Sequence, residues 1–363
     1  MHCCSVDIRR IETNLLEIPM KAIGYRVAGP ITAKDALIDI ELPDPIPRPR
    51  DIVVAVKAVS VNPADVKLRA AVSPPDFDGK HPSDQARILG FDAAGIVKAV
   101  GSDVSMFKPG DEVFYAGTID RPGTNSELHL VDERIVGRKP KTLNFAEAAA
   151  LPLTSITAWE LLFDRLGVAF GNTNQKGSLL IINGAGGVGS ILTQIARKLT
   201  GLTVIATASR PETIAWCKTM GAHHVVDHHK PLMEQIATLG ISGVEYVAGL
   251  TATDKHLPEI ERVLLPQGKL ALIDDPAVLD IVKFKRKSIS VHWELMFTRP
   301  LYQTADMVAQ HKLLDNVADL VDTGVLKTTL SEIAGPINAD TLKRVHQIVE
   351  SGKAFGKTVL EGF

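Results

Sequence analysis

The chain has 363 residues, a formal net charge of −2 and 23% charged residues, which allows two domains and no strongly basic face. Nucleic acid is therefore excluded as a main partner. Hydrophobic residues make up 45% at a mean hydropathy of +0.10, yet no run of 18 apolar residues occurs, so no helical membrane span is expected.

The three cysteines, Cys3, Cys4 and Cys217, form no framework and no C-x2-C pair. They predict reduced thiols, a cytoplasmic setting and no structural zinc. Residues 1–19 carry Cys3-Cys4 and Arg9-Arg10 but lack the apolar core and cleavage site of a signal peptide. They read as a flexible or loosely docked extension.

Short strands are predicted at Lys21 to Val27 and Leu37 to Leu42. Pro43, Pro45, Pro47 and Pro49 then enforce a stiff surface turn. Asp51 to Val61 is rich in valine and alternates as a strand does. Asn62 followed by Pro63 reads as a cap and first turn of a helix, which groups Asn62, Asp65 and Arg69 near one face. Ser73 to Gln85 is a polar, proline-containing loop suited to a flap over a cleft. Leu89 to Val97 returns to strand, and Lys108 to Tyr115 is a turn followed by a strand. Phe145 to Ala150 is alanine-rich and helical, and Leu151 to Trp159 leads into a further helix.

From Leu179 the pattern changes to alternating strands and helices. Leu179 to Ile182 is wholly apolar, as in a strand buried on both faces. Gly184, Ala185, Gly186, Gly187, Val188 and Gly189 follow at once as a G-x-G-x-x-G turn. Val188, Ile191, Leu192, Ile195 and Leu199 then recur at helical spacing. A second apolar run, Thr203 to Ala208, completes the βαβ spacing. The glycines allow a tight turn, close approach of a pyrophosphate and close helix–strand packing, and the helix N-terminus presents N–H groups to the anion.

Helices at 211–220, 231–239 and 254–264 alternate with strands at His224–Asp227, Val244–Ala248 and Lys269–Ile273, which predicts a doubly wound parallel sheet. Ser288 to Val291 is a further strand at the far edge of that sheet, open to a second chain. Thr304 to Val321 and Ala339 to Ser351 read as helices, and Thr358 to Glu361 as a closing strand.

The end of the second strand bears on which nucleotide binds. An NAD site places an acid there, whereas Ala208-Ser209-Arg210 offers a hydroxyl and a guanidinium, with no acid before Glu212. NADP(H) is the expected cofactor.

These stretches resemble the medium-chain dehydrogenase/reductase superfamily, in its quinone-oxidoreductase-like branch often labelled zinc-type alcohol dehydrogenase-like. The likeness rests on Val61-Asn-Pro-Ala-Asp65, Leu89 to Val97, Phe107 to Val113, Leu151 to Trp159, the turn Asn183 to Gly189, Gly221-Ala222 and Gly356 to Leu360. It runs in family order over about residues 20 to 363. The resemblance implies an α/β protein: a GroES-like β-rich catalytic domain, 20–153 and 303–363, plus a Rossmann domain, 154–302, with the active site between them. It also implies a final segment that returns to the first domain and a homodimer formed at the Rossmann sheet edge.

Zinc-dependent members carry a Cys at Asn62 or its neighbour and Gly-His-Glu where this chain reads Gly90-Phe91-Asp92. Phe91 cannot ligate, and Asp65 with Asp92 makes a poor, hard donor set, so no zinc is expected. His223, His224, His228 and His229 read as solvated or phosphate-facing rather than metal-binding. Gly352 to Thr358 falls one residue short of a Walker A loop and precedes a strand, not a helix. No G-x-S-x-G occurs to support hydrolysis.

Without a metal, hydride addition to a plain ketone builds a localised alkoxide, while addition to an enone or quinone spreads the charge over an enolate or phenolate. The expected substrates are quinones, enones or aldehydes. By the family likeness, Thr154 and Thr157 line the nicotinamide, Lys357 sits near its phosphate or carboxamide end, and Ser209, Arg210 and His228 meet the 2′-phosphate. Asn62 is the expected donor to the substrate oxygen. Lys67, Tyr115 or water delivers the proton. Phe91, Trp293 and Phe297 are either pocket walls or core. Two other readings stay open: a zinc-dependent alcohol dehydrogenase and a non-catalytic NADPH-binding protein.

Overall fold

Apolar runs too short for helices pair into three sheets. The computed structural model describes residues 19–71 and 85–363. The expectations for residues 1–18 and 73–84 lie outside the described residues.

The first sheet is small: β1 (Met20–Tyr25) lies between β2 (Ile38–Leu42) and β4 (Arg87–Ile88). The second has seven strands built on β3 (Asp51–Ser60). Along its main path β15 (Leu330–Gly335), β16 (Lys357–Glu361), β3, β5 (Ala93–Val100), β6 (Glu112–Tyr115) and β8 (Val136–Arg138) follow one another, and β7 (Leu128–Asp132) pairs β3. The chain's last strand thus returns to the sheet that its first half began, with Val359 opposite Ser60.

The third sheet holds six parallel strands in the order β11-β10-β9-β12-β13-β14. They span His224–Val226, Thr203–Thr207, Ser178–Ile182, Val244–Gly249, Leu264–Leu272 and Ser290–Trp293 in that order. β9 is buried at every position, because helices cover both faces of a parallel sheet. The strand order reverses between β9 and β12, which leaves a crevice at their carboxyl ends.

The helices that position the site are α1 (Pro63–Arg69), α2 (Phe145–Ala149), α3 (Pro152–Trp159), α4 (Gly187–Leu199), α5 (Pro211–Thr219), α6 (Leu232–Thr238) and α7 (Thr253–Val263). The chain then adds α8 (Thr298–Tyr302), α9 (Ala309–Asp322) and α10 (Ala339–Glu350). α4 buries Ile191, Leu192, Ile195 and Leu199 as its spacing predicts, and each such side chain stabilises by about 1.5–3 kcal/mol. None of the described helices is long and apolar enough to cross a membrane.

Two differences from the sequence reading have physical reasons. The single strand expected over Leu89 to Val97 is broken by Gly90, whose φ of +116° only glycine adopts readily. A Cβ there would lie 2.4 Å from Thr124 Oγ1. The helix expected from Thr304 begins at Ala309, because Gln303, at φ +46°, terminates α8 first. Strands β7, β8 and β15 have no counterpart in the sequence reading.

Candidate active site

β9 ends at Ile182, and Asn183 takes the left-handed conformation, φ +65°, that asparagine tolerates. Its N–H donates to Thr207 Oγ1 at 2.9 Å. Gly184 to Gly189 turn the chain into α4, with Gly186 as the cap residue. The glycines at both ends of the motif are sterically required. A Cβ on Gly184 would lie 2.5 Å from the Ala206 Cβ, and one on Gly189 would lie 2.4 Å from the Asn183 carbonyl oxygen. The N–H groups of the first turn of α4 have no intrahelical acceptors, and they lie in the crevice where the strand order reverses, an arrangement able to hold an anion.

Other groups converge on this turn. A Cβ on Gly187 would approach Lys357 Cδ to 3.0 Å and Thr154 Cγ2 to 3.1 Å. Thr154 and Thr157 lie on α3 and direct their hydroxyls back to the Leu151 and Leu153 carbonyls, at 3.1 and 2.8 Å. The Gly356 N–H donates to the Ala185 carbonyl at 2.9 Å, and Trp216 packs edge-on against Phe355. The near-Walker stretch Gly352 to Thr358 is therefore part of the site, though not as a phosphate loop. Only the return of the last strand reveals this.

Ser209 and Arg210 follow β10, and Arg210 caps α5. The guanidinium bonds Glu212 at 3.0 Å and the Lys353 carbonyl at 2.8 Å. The Ala208 N–H donates to the Val226 carbonyl at 3.0 Å, which brings the chain segments leading to Ser209 and His228 together at the strand ends. The His228 ring lies 4.4 Å from that of His229 and 6.0 Å from that of His256 on α7. Partial burial holds His228 and His256 below the usual histidine range. His223 lies at the opposite end of β11, where it contacts Arg197 and accepts from the Val204 N–H at 2.9 Å.

Facing the turn across the crevice is a buried polar cluster. Asp92 Oδ2 accepts from Ser60 Oγ and Asn62 Nδ2, both at 2.8 Å, and from Lys357 Nζ at 3.0 Å. Asp92 Oδ1 accepts from the Leu153 N–H at 2.7 Å. Lys357 Nζ also donates to the Val61 carbonyl at 3.1 Å and to Asn62 Oδ1. Asp65 accepts from the N–H groups of Asn62 and Gly90, at 2.8 and 2.9 Å. Burial pushes its carboxyl up to about 7 against those two bonds.

Several expected roles differ in this geometry. Asn62 is 1% exposed, and both ends of its carboxamide are engaged inside the protein, so it does not face a substrate oxygen. The Lys357 stem lies against the glycine turn, but its ammonium points to Asn62 and Asp92. Tyr115 is fully buried in the first domain's core and faces His129. The His129 Nε2–H donates to the Pro122 carbonyl, so Nδ1 accepts from the Tyr115 hydroxyl. Burial raises the Tyr115 phenol far above its usual range. Lys67, by contrast, reaches across to Asp275 on the loop after β13 at 2.8 Å, with both side chains partly open to solvent. Phe91 and Phe297 meet edge to face at 5.0 Å, whereas Trp293 stands exposed at the end of β14.

These residues do not fit a zinc ion. Tetrahedral zinc takes sulfur or imidazole donors with at most a minority of carboxylates. Here the donors are a carboxylate, an amide and a hydroxyl, with an ammonium already among them. Among the described residues no group of three or more His, Cys, Asp or Glu is arranged to hold a metal. None of the cluster's residues lines either of two surface cavities of about 320 and 590 Å³.

Comparisons with known proteins agree with this architecture. Residues 48–150 match the family model of the alcohol dehydrogenase GroES-like domain, and residues 220–360 match that of the zinc-binding dehydrogenases. A protein of Rhizobium etli CFN 42 assigned as a zinc-dependent alcohol dehydrogenase shares the fold at a TM-score of 0.88. It is 58% identical, over 95% of this chain and 99% of its own. A quinone oxidoreductase of Coxiella burnetii superposes at a TM-score of 0.76 with 27% identity, over 95% and 99% of the two chains. A zinc-type alcohol dehydrogenase-like protein of Staphylococcus epidermidis is 39% identical across 344 residues, 94% of this chain and 99% of that one. Identity sustained over nearly the whole of both chains places this protein in the zinc-type alcohol dehydrogenase-like group of the medium-chain dehydrogenase/reductase superfamily, a family of oxidoreductases.

Proposed function

We propose that the protein is a zinc-independent oxidoreductase that moves a hydride from NADPH to a conjugated carbonyl acceptor, a quinone or an enone. The observation that carries this reading is the ammonium–carboxylate–amide cluster opposite the glycine turn. It supplies no Lewis acid for an isolated carbonyl, so the acceptor must itself delocalise the incoming charge. The quinone oxidoreductase likeness supports the same class of acceptor.

In this reading the pyrophosphate lies over Gly186 to Gly189, and the nicotinamide lies beside Thr154 and Thr157. The 2′-phosphate meets Ser209 and His228. Arg210 joins them by exchanging its Glu212 contact for the phosphate. Hydride adds to the β-carbon of the acceptor and the electron pair moves to oxygen. Lys67, held at the cleft by Asp275, is the candidate donor of the balancing proton.

The test is NADPH oxidation with 1,4-naphthoquinone, 1-octen-3-one and cyclohexanone, with and without EDTA, beside metal analysis of the purified protein. Turnover of the quinone and enone, unchanged by EDTA, is expected, with cyclohexanone at least about 100-fold slower. NAD-linked oxidation of simple alcohols with one zinc per chain would establish the alcohol dehydrogenase reading instead. Tight NADPH binding without turnover of any acceptor would leave the protein a binding module.

We also propose a homodimer through β14. This strand ends the six-stranded sheet, pairs only β13 among the described residues and ends on Trp293, which is 54% exposed. Light scattering on the eluted peak is expected to give twice the chain mass, and Val291→Pro to give one. A monomeric parent protein would refute this.

A further inference from the structure

The strongest unassigned feature is the environment of one side chain. Lys357 is 3% exposed, and its ammonium has three oxygens around it: the Val61 carbonyl, Asn62 Oδ1 and Asp92 Oδ2. An alkylammonium has three N–H donors, so donors and acceptors match one to one. The same lysine is anchored on both sides of the crevice. Its stem lies against Gly187, its backbone N–H donates to the Thr329 carbonyl at 2.8 Å, and the preceding Gly356 is bonded to the glycine turn through Ala185.

We propose that Lys357 is a positioning residue that supplies the permanent cation of an oxygen-lined site, holding the dinucleotide turn in register with the Asn62 segment. The ammonium is tethered by β16, so any dissolved cation competes with a partner at very high effective concentration. The site therefore accepts a primary ammonium and rejects divalent metal. A buried Asp92 without this partner is an uncompensated charge, and the two walls of the crevice lose their only buried ionic tie among the described residues at this cluster. The coenzyme part of the inference rests on the proposed function, whereas its thermal part does not.

The experiment uses the full chain with Lys357→Ala, which opens the site, and Lys357→Met, which fills it without charge. Thermal midpoints and NADPH affinity by fluorescence are measured in ethylammonium chloride and in tetramethylammonium chloride at equal ionic strength. Both variants are expected to melt at least about 5 °C below the parent and to bind NADPH at least about tenfold more weakly. Ethylammonium restores at least half of each loss in Lys357→Ala only, and tetramethylammonium, which has no N–H, restores none. The inference is overturned if Lys357→Met matches the parent, if ethylammonium fails to rescue Lys357→Ala, or if zinc rescues it instead. Should Lys357→Ala not fold, the yield on refolding is read: recovery dependent on ethylammonium supports the inference, and equal yields overturn it. Should the parent bind no NADPH, the proposed function fails while the melting data still decide this point.

Discussion

Gly189→Ala is expected to weaken NADPH binding by at least 100-fold, about 2.7 kcal/mol, while leaving the far-ultraviolet circular dichroism of a folded protein. The reason is that the new methyl group has nowhere to go. It would lie 2.4 Å from the Asn183 carbonyl oxygen and 2.7 Å from the Gly184 backbone. Those are backbone atoms of the turn itself, so relief means moving α4 away from β9 and with it the N–H groups proposed to hold the pyrophosphate. Overpacking of this kind also lowers stability by about 1–3 kcal/mol. Isothermal titration of the variant is the check; an affinity within threefold of the parent would show that the turn is not the phosphate site. Gly29→Ala makes a useful control for glycine replacement, since its Cβ would enter open space and its φ lies outside the left-handed region.

The second large effect is on stability and depends on pH. The helix α3 runs on into a π-helical turn, Glu160–Arg165, and Glu160 meets Glu294, the residue after β14. Arg165 bonds Glu294 at 2.9 Å, Arg299 bonds Glu160 at 2.6 Å, and Gln310 donates to Glu160 at 3.2 Å. Burial, reinforced by the neighbouring carboxylate, pushes the Glu294 carboxyl up to about 9 from an ordinary 4.5. The folded state therefore binds a proton that the unfolded chain releases. This contribution is complete below about pH 4.5 and is lost as pH rises toward 9. Asp65 acts in the same direction, from 3.8 to about 7. Buried His129 and His346, held at about 4 and about 3, act oppositely below 6.5, so the carboxyl effect is read between pH 6.5 and 9.

Glu294→Gln keeps the shape and supplies a permanent N–H to Glu160. It is expected to raise stability by about 1–3 kcal/mol at pH 8.5 and to flatten the fall in melting temperature between pH 6.5 and 9. At pH 5 parent and variant should nearly coincide. Calorimetric melting across that range decides the matter, and a variant less stable than the parent at pH 8.5 would remove the shared-proton account.

Much of the half built on the parallel sheet is legible in the sequence. Leu179 to Ile182, the glycines 184, 186 and 189 and the stripe at Ile191, Leu192 and Ile195 act through local sterics and burial, and the strand, turn and helix they form lie where their spacing puts them. The opposite wall is not legible in this way. Asn62, read as a cap and as the donor to a substrate oxygen, stands at the N-terminus of α1 without a side-chain cap bond, because its carboxamide is engaged by partners 30 and 295 residues away. Tyr115 sits in an ordinary-looking strand, and only packing shows that it faces inward to His129. Glu294 and Glu160 are ordinary acids in sequence, 134 positions apart, and become neighbours only when the residue after β14 meets the π-helical turn that follows α3.

By itself, then, the sequence determined the two-domain α/β plan, the glycine turn between β9 and α4 and the lack of sulfur and imidazole at Asn62, Phe91 and Asp92. Those follow from backbone sterics, residue type and short-range periodicity. The tertiary structure decided which polar groups face the crevice and which are spent on one another, because β16 carries Lys357 back to β3 after the whole nucleotide sheet has been built. Pairings over such distances are set by the packing of entire sheets, and no local pattern encodes them.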